Sequence, residues 1–568
     1  MNLRRKLLAF LQSQKKAVEY TELEWIGNES NCYIFFPLVT SGKDIIELEY
    51  EAQFTRTDVP QAEGKNGDPY FFMGLQNSVW YAGCGGYGNS TVKADTEWHH
   101  FRLVSYGDDN GFWLDGTRIF QSTPRDGVYL PQGFRLWIGQ GGSRTTYNRK
   151  KYVKVKVNGK LVYDLIPVLD KDLTPCLYDK LTGKYFYNDG TGEFTWRLPN
   201  QLEYIGNEEN CYINVPIATN ALDVIEIEQE VQYTNASFNQ AEIKNGNPYF
   251  FMGIDNSLNW YAGIGGYGSS SIKADTNWHT MKIVSYGEDR GLWLDGERIY
   301  KGSNSTGNFL PYGFELWKCQ GTTGWRAVNR KKYVKATVNG KIKCYLLPVF
   351  DENLNICMYD LVSKKYYYNQ GTGSFKGFFE DGTQLVSYLS STGTQWIDTG
   401  IFGTENISIE TGFEFTTKDV QYLFGSSVTY NKDTFCHSIN PSSGKLYRTF
   451  IGARTGTFGN VGEVFSTKMS VNNAYFSTTQ IRLDDEVYDF TSVTPFKTPT
   501  PMYLFAKSNN GTVDYFAKVK VKFFKIYDNG VLVQNLIPVV KSDGTACMLD
   551  LASKKYFVNA GTGTFNYG

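Results

Sequence analysis

The chain has 568 residues, with 57 lysines and arginines against 58 aspartates and glutamates and a net charge of −1. That balance leaves no broad basic field for nucleic acid and no acidic tail, and no apolar run approaches the ~20 residues of a membrane-spanning helix. Aromatic side chains make up 16% of the residues and glycines number 57, which favours β-strands joined by tight turns over helical bundles.

Residues 1–20 predict a short N-terminal amphipathic helix. Leu3, Leu7, Phe10 and Leu11 follow the spacing of one helical face, with Arg4, Arg5, Lys6, Lys15 and Lys16 around it. The apolar patch is broken by Gln12 and no small-residue cleavage site follows, so the segment reads as retained rather than as a signal peptide. A lone helix of this length is marginal. It is expected to pack on the first domain, on a sister subunit or on another protein, in an anchoring or oligomerising role.

Beyond it the chain says the same thing three times. "LEWIGNESNCYI" from Leu23 returns as "LEYIGNEENCYI" from Leu202. "LIPVLDKDLTPCLYDKLTGKYFYNDGTGEF" from Leu165 returns from Leu346 and again from Leu536. A period of about 180 residues is too long for a solenoid unit, so each copy is expected to be a domain with its own core: 22–197, 201–376 and 385–568. "RLPNQ" and "GFFEDGTQ" read as short linkers, which predicts a semi-rigid array.

Within each copy the hydrophobic period is two. "DIIELEYEAQF" (Asp44 to Phe54) alternates apolar and acidic residues, and "YVKVKVNGKLVYDLIPV" turns at Asn158-Gly159, a type I′ hairpin pair repeated at Asn339-Gly340 and Asn529-Gly530. Asp115-Gly116 and Asp295-Gly296 predict further hairpins. Many strands with frequent turns and no interior helix predict an antiparallel sandwich. The nine cysteines recur only in part (Cys32 with Cys211; Cys176 with Cys357 and Cys547) and read as buried free thiols rather than a disulfide framework.

The order "IELEYEAQF", "PYFFMG", "WHHFRLVSYGDDNGFWLDGTRIF", "GFRLWIG" and "VKVKVNGKLVYDLIPV" resembles the concanavalin A-like jelly roll, in its laminin-G-like branch, over nearly the whole chain after residue 21. The fold class implied is all-β: three tandem concanavalin A-like jelly-roll sandwiches after the N-terminal helix. The third copy, with "STGTQWIDTGI" and "KIYDNGVLVQNLIPV", resembles modules of bacteriophage virion proteins, notably of gut phages.

Four features could carry chemistry. Glu47, Glu49 and Glu51 share one strand face, as do Glu226, Glu228 and Glu230, but they lack the acid spacing of the glucanases of this fold, and the third copy keeps only Glu410 and Glu414. They read as a charged strand face. Histidines number four, His99, His100, His279 and His437; His99 and His279 sit in matching "WH" pairs that read as packing and hydrogen-bonding groups, and no second histidine or cysteine lies at ligand spacing in either copy. The aromatic, glycine-rich segments offer Asn77, Trp80, Tyr81 and Tyr87, matched by Asn256, Trp260, Tyr261 and Tyr267; these either form a carbohydrate site or fill the core. The third copy lacks this segment. Arg149, Lys150 and Lys151, matched by Arg330, Lys331 and Lys332, form either a basic patch or a solvated strand start, with Arg144 and Arg326 nearby.

The expectation is a non-catalytic virion structural or adhesion protein, a head or tail fibre or a capsid decoration, made in the host cytoplasm. It would contact capsid or tail proteins, form a homo-oligomer and present lectin-like domains to host or mucosal glycans, with no nucleic-acid or membrane partner. A secreted or surface bacterial glycan-binding protein is the alternative, and a glycoside hydrolase of the same fold the third reading. No cofactor is expected. Calcium stays open, since laminin-G-like domains hold it through scattered aspartates and carbonyls that spacing does not reveal.

Overall fold

The computed structural model describes residues 20–65, 67–140, 144–207, 210–320, 325–427, 433–439, 447–452, 461–464, 468–489 and 495–568. The expected helix, with Leu3, Leu7, Phe10 and Leu11, lies outside the described residues. Among the described residues all helix- or strand-type elements are strands. The chain divides into two compact units, residues 1–201 and 202–568.

The strand Ile46–Phe54 shows why the first repeat folds as a sandwich. Buried and half-exposed residues alternate along it without a break, so Ile46, Leu48, Tyr50, Ala52 and Phe54 face the core. It pairs antiparallel with Trp98–Val104 on one side and Asn148–Val157 on the other. A second sheet runs through Gly139–Gln140, Gln61–Lys65, Tyr70–Gln76 and Val79–Lys93. Between the sheets Leu48, Tyr50, Phe54, Phe101 and Val155 meet Phe71, Met73, Leu75, Trp80 and Ala82 in one core, each large side chain contributing about 1.5–3 kcal/mol through its burial. Asn158 and Gly159 both have positive φ, 50° and 77°, as the type I′ turn requires.

The second unit holds the other two repeats. In the second, Ile225–Tyr233 lies between Trp278–Val284 and Asn329–Val338, opposite a sheet of Asn259–Lys273, Tyr249–Ile254, Gln240–Lys244 and Cys319–Gln320. In the third, Ile407–Phe415 lies between Ser470–Phe476 and Val519–Asp528. Each repeat has its own core cluster.

The stretch "GFFEDGTQ", expected as a linker, is a β-hairpin. Lys376–Phe378 pairs with Gln384–Leu385, and Gln384–Leu385 pairs in turn with Val531–Val540 of the third repeat. The Phe379 and Thr383 backbones close the turn (2.8 Å) with Gly382 at φ +81°. The Tyr556 hydroxyl reaches both Asp381 and Thr383. Leu202 and Phe350 of the second repeat join Leu385, Ile537, Val539, Cys547 and Leu549 in a small apolar cluster, with Phe379 packed against it. One sheet therefore runs continuously through both repeats. The nine cysteines are free and buried.

Candidate functional site

Period-two alternation decides which aromatics of the glycine-rich segment reach the surface. On Tyr70–Gln76 the residues Phe71, Met73 and Leu75 face the core, leaving Tyr70, Phe72 and Gln76 on the outer face. On Val79–Lys93, Trp80, Ala82 and Cys84 face inward and Tyr81 outward. The register sets Tyr81 opposite Gly74 and Phe72 opposite Gly83. A Cβ on Gly83 would lie 2.5 Å from the Phe72 ring and 2.6 Å from the Tyr70 Cβ, so only glycine lets these rings fold down over the sheet. The four rings form a continuous cluster: Tyr70–Tyr87 at 4.8 Å, Phe72–Tyr81 at 4.9 Å and Tyr81–Tyr87 at 6.2 Å between centroids. They line a groove of about 560 Å³ with Gln76, Asn89 and Arg144 at its polar edge. Tyr87 is 58% exposed. Burial raises the pKa of the Tyr81 phenol, while the charge of Arg144 pulls it down.

The second repeat rebuilds the cluster from Tyr249, Phe251, Tyr261 and Tyr267, with Tyr249–Tyr267 at 5.3 Å and Phe251–Tyr261 at 5.0 Å. Tyr267 is 62% exposed. Here Trp325 lies against Phe251 at 5.5 Å and Tyr261 at 6.3 Å. A cavity of about 200 Å³ on the Tyr261 side of the cluster is lined by Trp325, Tyr261, Asp255, Asn256 and Gln240, and its lining does not include Tyr249, Phe251 or Tyr267.

Of the residues expected to bind carbohydrate, the structure thus brings Tyr81 with Tyr87, and Tyr261 with Tyr267, onto outer faces. Trp80 and Trp260 are each 1% exposed and belong to the cores, one residue out of phase with the groove. Asn77 occupies the exposed hairpin tip at φ +54°, outside the groove lining, whereas Asn256 lines the second cavity. Tyr70, Phe72, Gln76 and Arg144 were not expected there; counting alternate residues back from Gln76 would have found the first two.

No family model and no curated protein matches the chain. Among solved structures it is similar to mouse laminin α1 chain domains LG4-5, at 12% identity and a TM-score of 0.22, covering 65% of this chain and 94% of that one. It is also similar to the LG1-3 region of the laminin α2 chain, at 9% identity and a TM-score of 0.22, covering 94% of this chain and 100% of that one.

The basic cluster is not a patch. Lys150 and Lys331 are wholly buried, bonded to Glu63 at 2.6 Å and Glu242 at 2.7 Å. Arg149 lies over the Trp25 ring at 4.5 Å, and Arg330 over Tyr204 and Phe378, each at 5.3 Å. Lys151 is paired with Glu51, and Lys332 with Glu230 at 2.6 Å. These cations are taken up by their own repeat, because a bulge between Lys150 and Tyr152 turns the middle lysine inward.

The acidic face is likewise engaged. Glu47 binds Arg102 at 2.7 Å and also Lys156, and Glu49 meets His100 at 3.2 Å. Burial pushes the Glu47 pKa up, but the bonds from Lys156 and Arg102 outweigh it and hold the carboxyl below its usual range. Glu226 faces Lys282 at 3.9 Å, and the Tyr333 hydroxyl donates to Glu228 at 3.1 Å. In the third repeat Glu410 accepts from Tyr527 at 2.9 Å and Glu414 from Lys520 at 3.0 Å.

His99 is clamped between two carboxylates, with Nδ1 at 2.6 Å from Asp115 and Nε2 at 2.8 Å from Asp95. His279 repeats this with Asp295 at 2.6 Å and Asp275 at 2.9 Å. Burial works against the charge on both imidazoles, but the two carboxylates prevail and raise both pKa values. His437 sits among phenylalanines, 4.4 Å from the Phe476 ring centroid, and its pKa is pushed down to about 3 by burial. Among the described residues no group of three His, Cys, Asp or Glu side chains converges as a metal site.

Proposed function

We propose that the chain is a non-catalytic carbohydrate-binding protein that presents glycan grooves on its first two sandwiches. The observation that carries this reading is an outer surface of three tyrosines over a buried phenylalanine, built twice, with Tyr87 and Tyr267 more than half exposed. Flat aromatic faces stack on the C–H face of a sugar ring, and the edge amides and the Arg144 guanidinium supply polar contacts. Each shallow groove would bind weakly, and two per chain, multiplied by oligomerisation, would add avidity. The engagement of Glu47, Glu49, Glu226 and Glu228 by neighbouring side chains supports the non-catalytic reading. The resemblance of the third repeat to phage virion modules supports a setting on a virus particle, as a fibre or decoration that contacts other virion proteins.

The test is a glycan array probed with the full chain and with the Tyr87→Ala/Tyr267→Ala variant. The wild type should bind a subset of glycans and the variant none, at an unchanged melting temperature. Absence of binding by the wild type, or binding that survives both substitutions, would contradict the proposal. For the setting, mass spectrometry of purified particles should detect the chain; its confinement to the unassembled cell fraction would overturn that part.

A further inference from the structure

The two repeats build the same ring cluster, but the cavities beside it differ in size, about 560 and 200 Å³, and in the charge at their edges. Arg144 and Trp325 hold the same place: the Arg144 carbonyl accepts from the Gly139 amide at 3.1 Å and the Trp325 carbonyl from the Cys319 amide at 3.0 Å. The next residues, Thr145 and Arg326, bridge to Ile138 and Lys318. A cation at the first groove's edge is thus an indole in the second. A second exchange in the same direction of charge occurs at the end of the adjoining strand, where Gln76 follows Leu75 but Asp255 follows Ile254. Asp255 lines the second cavity and accepts from the Asn259 amide at 2.9 Å and from the Ser269 hydroxyl. Burial pushes its pKa up, but these bonds outweigh it and keep the carboxyl below its usual range. Arg144 is exposed, and no ion pair joins it to a described residue.

We propose, resting on the glycan reading above, that the first groove selects saccharides bearing an anionic group, a carboxylate or a sulfate, and that the second rejects them. Tyr81 and Tyr87 take the sugar ring while the Arg144 fork closes on the anion, a planar two-bond geometry that lysine would not supply. In the second groove Trp325 adds stacking surface and Asp255 repels the same anion. Specificity between the grooves then comes from an attraction in one and a repulsion in the other.

Titration calorimetry of the full chain tests this with three probes: a neutral oligosaccharide, its uronate-containing counterpart and its sulfated counterpart, each at low and high salt. An acidic probe should bind more tightly than the neutral one, with an advantage that shrinks as salt rises. Arg144→Gln should weaken that acidic probe about tenfold or more and the neutral probe by a clearly smaller factor. Asp255→Asn should open a second site for the acidic probe. Comparing the carboxylate and sulfate arms identifies which anion the first groove takes. If Tyr87→Ala removes binding at the first groove while Arg144→Gln changes nothing, the charge inference fails and the glycan reading stands. If none of the probes binds the wild type, the glycan reading itself fails.

Discussion

The first two repeats and the third solve the same packing problem with different chemistry. In the first, the buried Lys150 ammonium lies 2.6 Å from Glu63 and 3.9 Å from the Tyr50 ring centroid, and the other Glu63 oxygen accepts from the Trp137 amide at 2.7 Å. In the second, Lys331 binds Glu242 and Gln229, each at 2.7 Å, and Glu242 accepts from the Trp317 amide at 2.8 Å. In the third, Leu423 and Val521 occupy these places, both fully buried. Strand pairing fixes the match: Lys150 lies opposite Ala52, Lys331 opposite Val231 and Val521 opposite Phe413. The amide that a carboxylate satisfied in the first two repeats now comes from Phe505 and is taken by the Leu423 carbonyl at 2.7 Å. The sandwich therefore does not need the ion pair. A buried pair is expensive to desolvate, and apolar residues of similar volume often replace it without loss, whereas half a pair is strongly destabilising.

That contrast can be broken by mutation. Lys150→Met should destabilise the first repeat by about 3–5 kcal/mol, since it leaves a buried carboxylate unpaired. The double change Lys150→Val/Glu63→Leu, which copies the third repeat, should recover most of that loss in calorimetric unfolding. A double variant as unstable as the single one would show that the ion pair itself holds the fold.

A second contrast lies in how repeats are joined. Leu385→Ala cuts into the cluster shared by the second and third repeats and should cost about 2–3 kcal/mol, toward the low end for a buried leucine. Scanning calorimetry should show their transitions moving apart. An unchanged joint transition would mean the hairpin Lys376–Leu385 contributes nothing to their coupling.

The smallest effect concerns the histidine clamps, which the third repeat lacks: Val471 stands where His99 and His279 do, while Asp484 keeps the hairpin bond to the Asn472 amide. Because the folded pKa values are raised, the clamps stabilise fully below the unfolded histidine value of 6.5, and that contribution fades as pH rises through the folded values. His99→Gln should cost about 1 kcal/mol at acid pH, modest because both aspartates are half exposed, and less as pH increases. A loss independent of pH would assign His99 to packing alone.

Much of this architecture is legible in the amino-acid sequence because a sandwich strand writes its two faces in alternation. Ile46–Phe54 and the Asn-Gly turns read directly, and the same count separates Trp80 from Tyr81. Three features escape that reading for definite reasons. The bulge after Lys150 shifts the phase by one residue, so three consecutive cations that look solvated include one at the centre of the core. Asp381-Gly382 is a hairpin signal preceded by Phe378 and Phe379, but the strand that Gln384–Leu385 goes on to pair with lies more than 150 residues further on, in Val531–Val540, which no local pattern reveals. The exchange of Arg144 for Trp325 is hidden by a one-residue difference in loop length, and only the backbone pairing aligns the two.

The central claim is that sugars are held on the outer aromatic faces. A crystal structure of the full chain with a bound oligosaccharide tests it most directly. The sugar should stack on Tyr81 and Tyr87 in the first repeat, with any anionic substituent at Arg144. Sugar bound instead over the acidic strand Ile46–Phe54, with Tyr81 and Tyr87 bare, would contradict it.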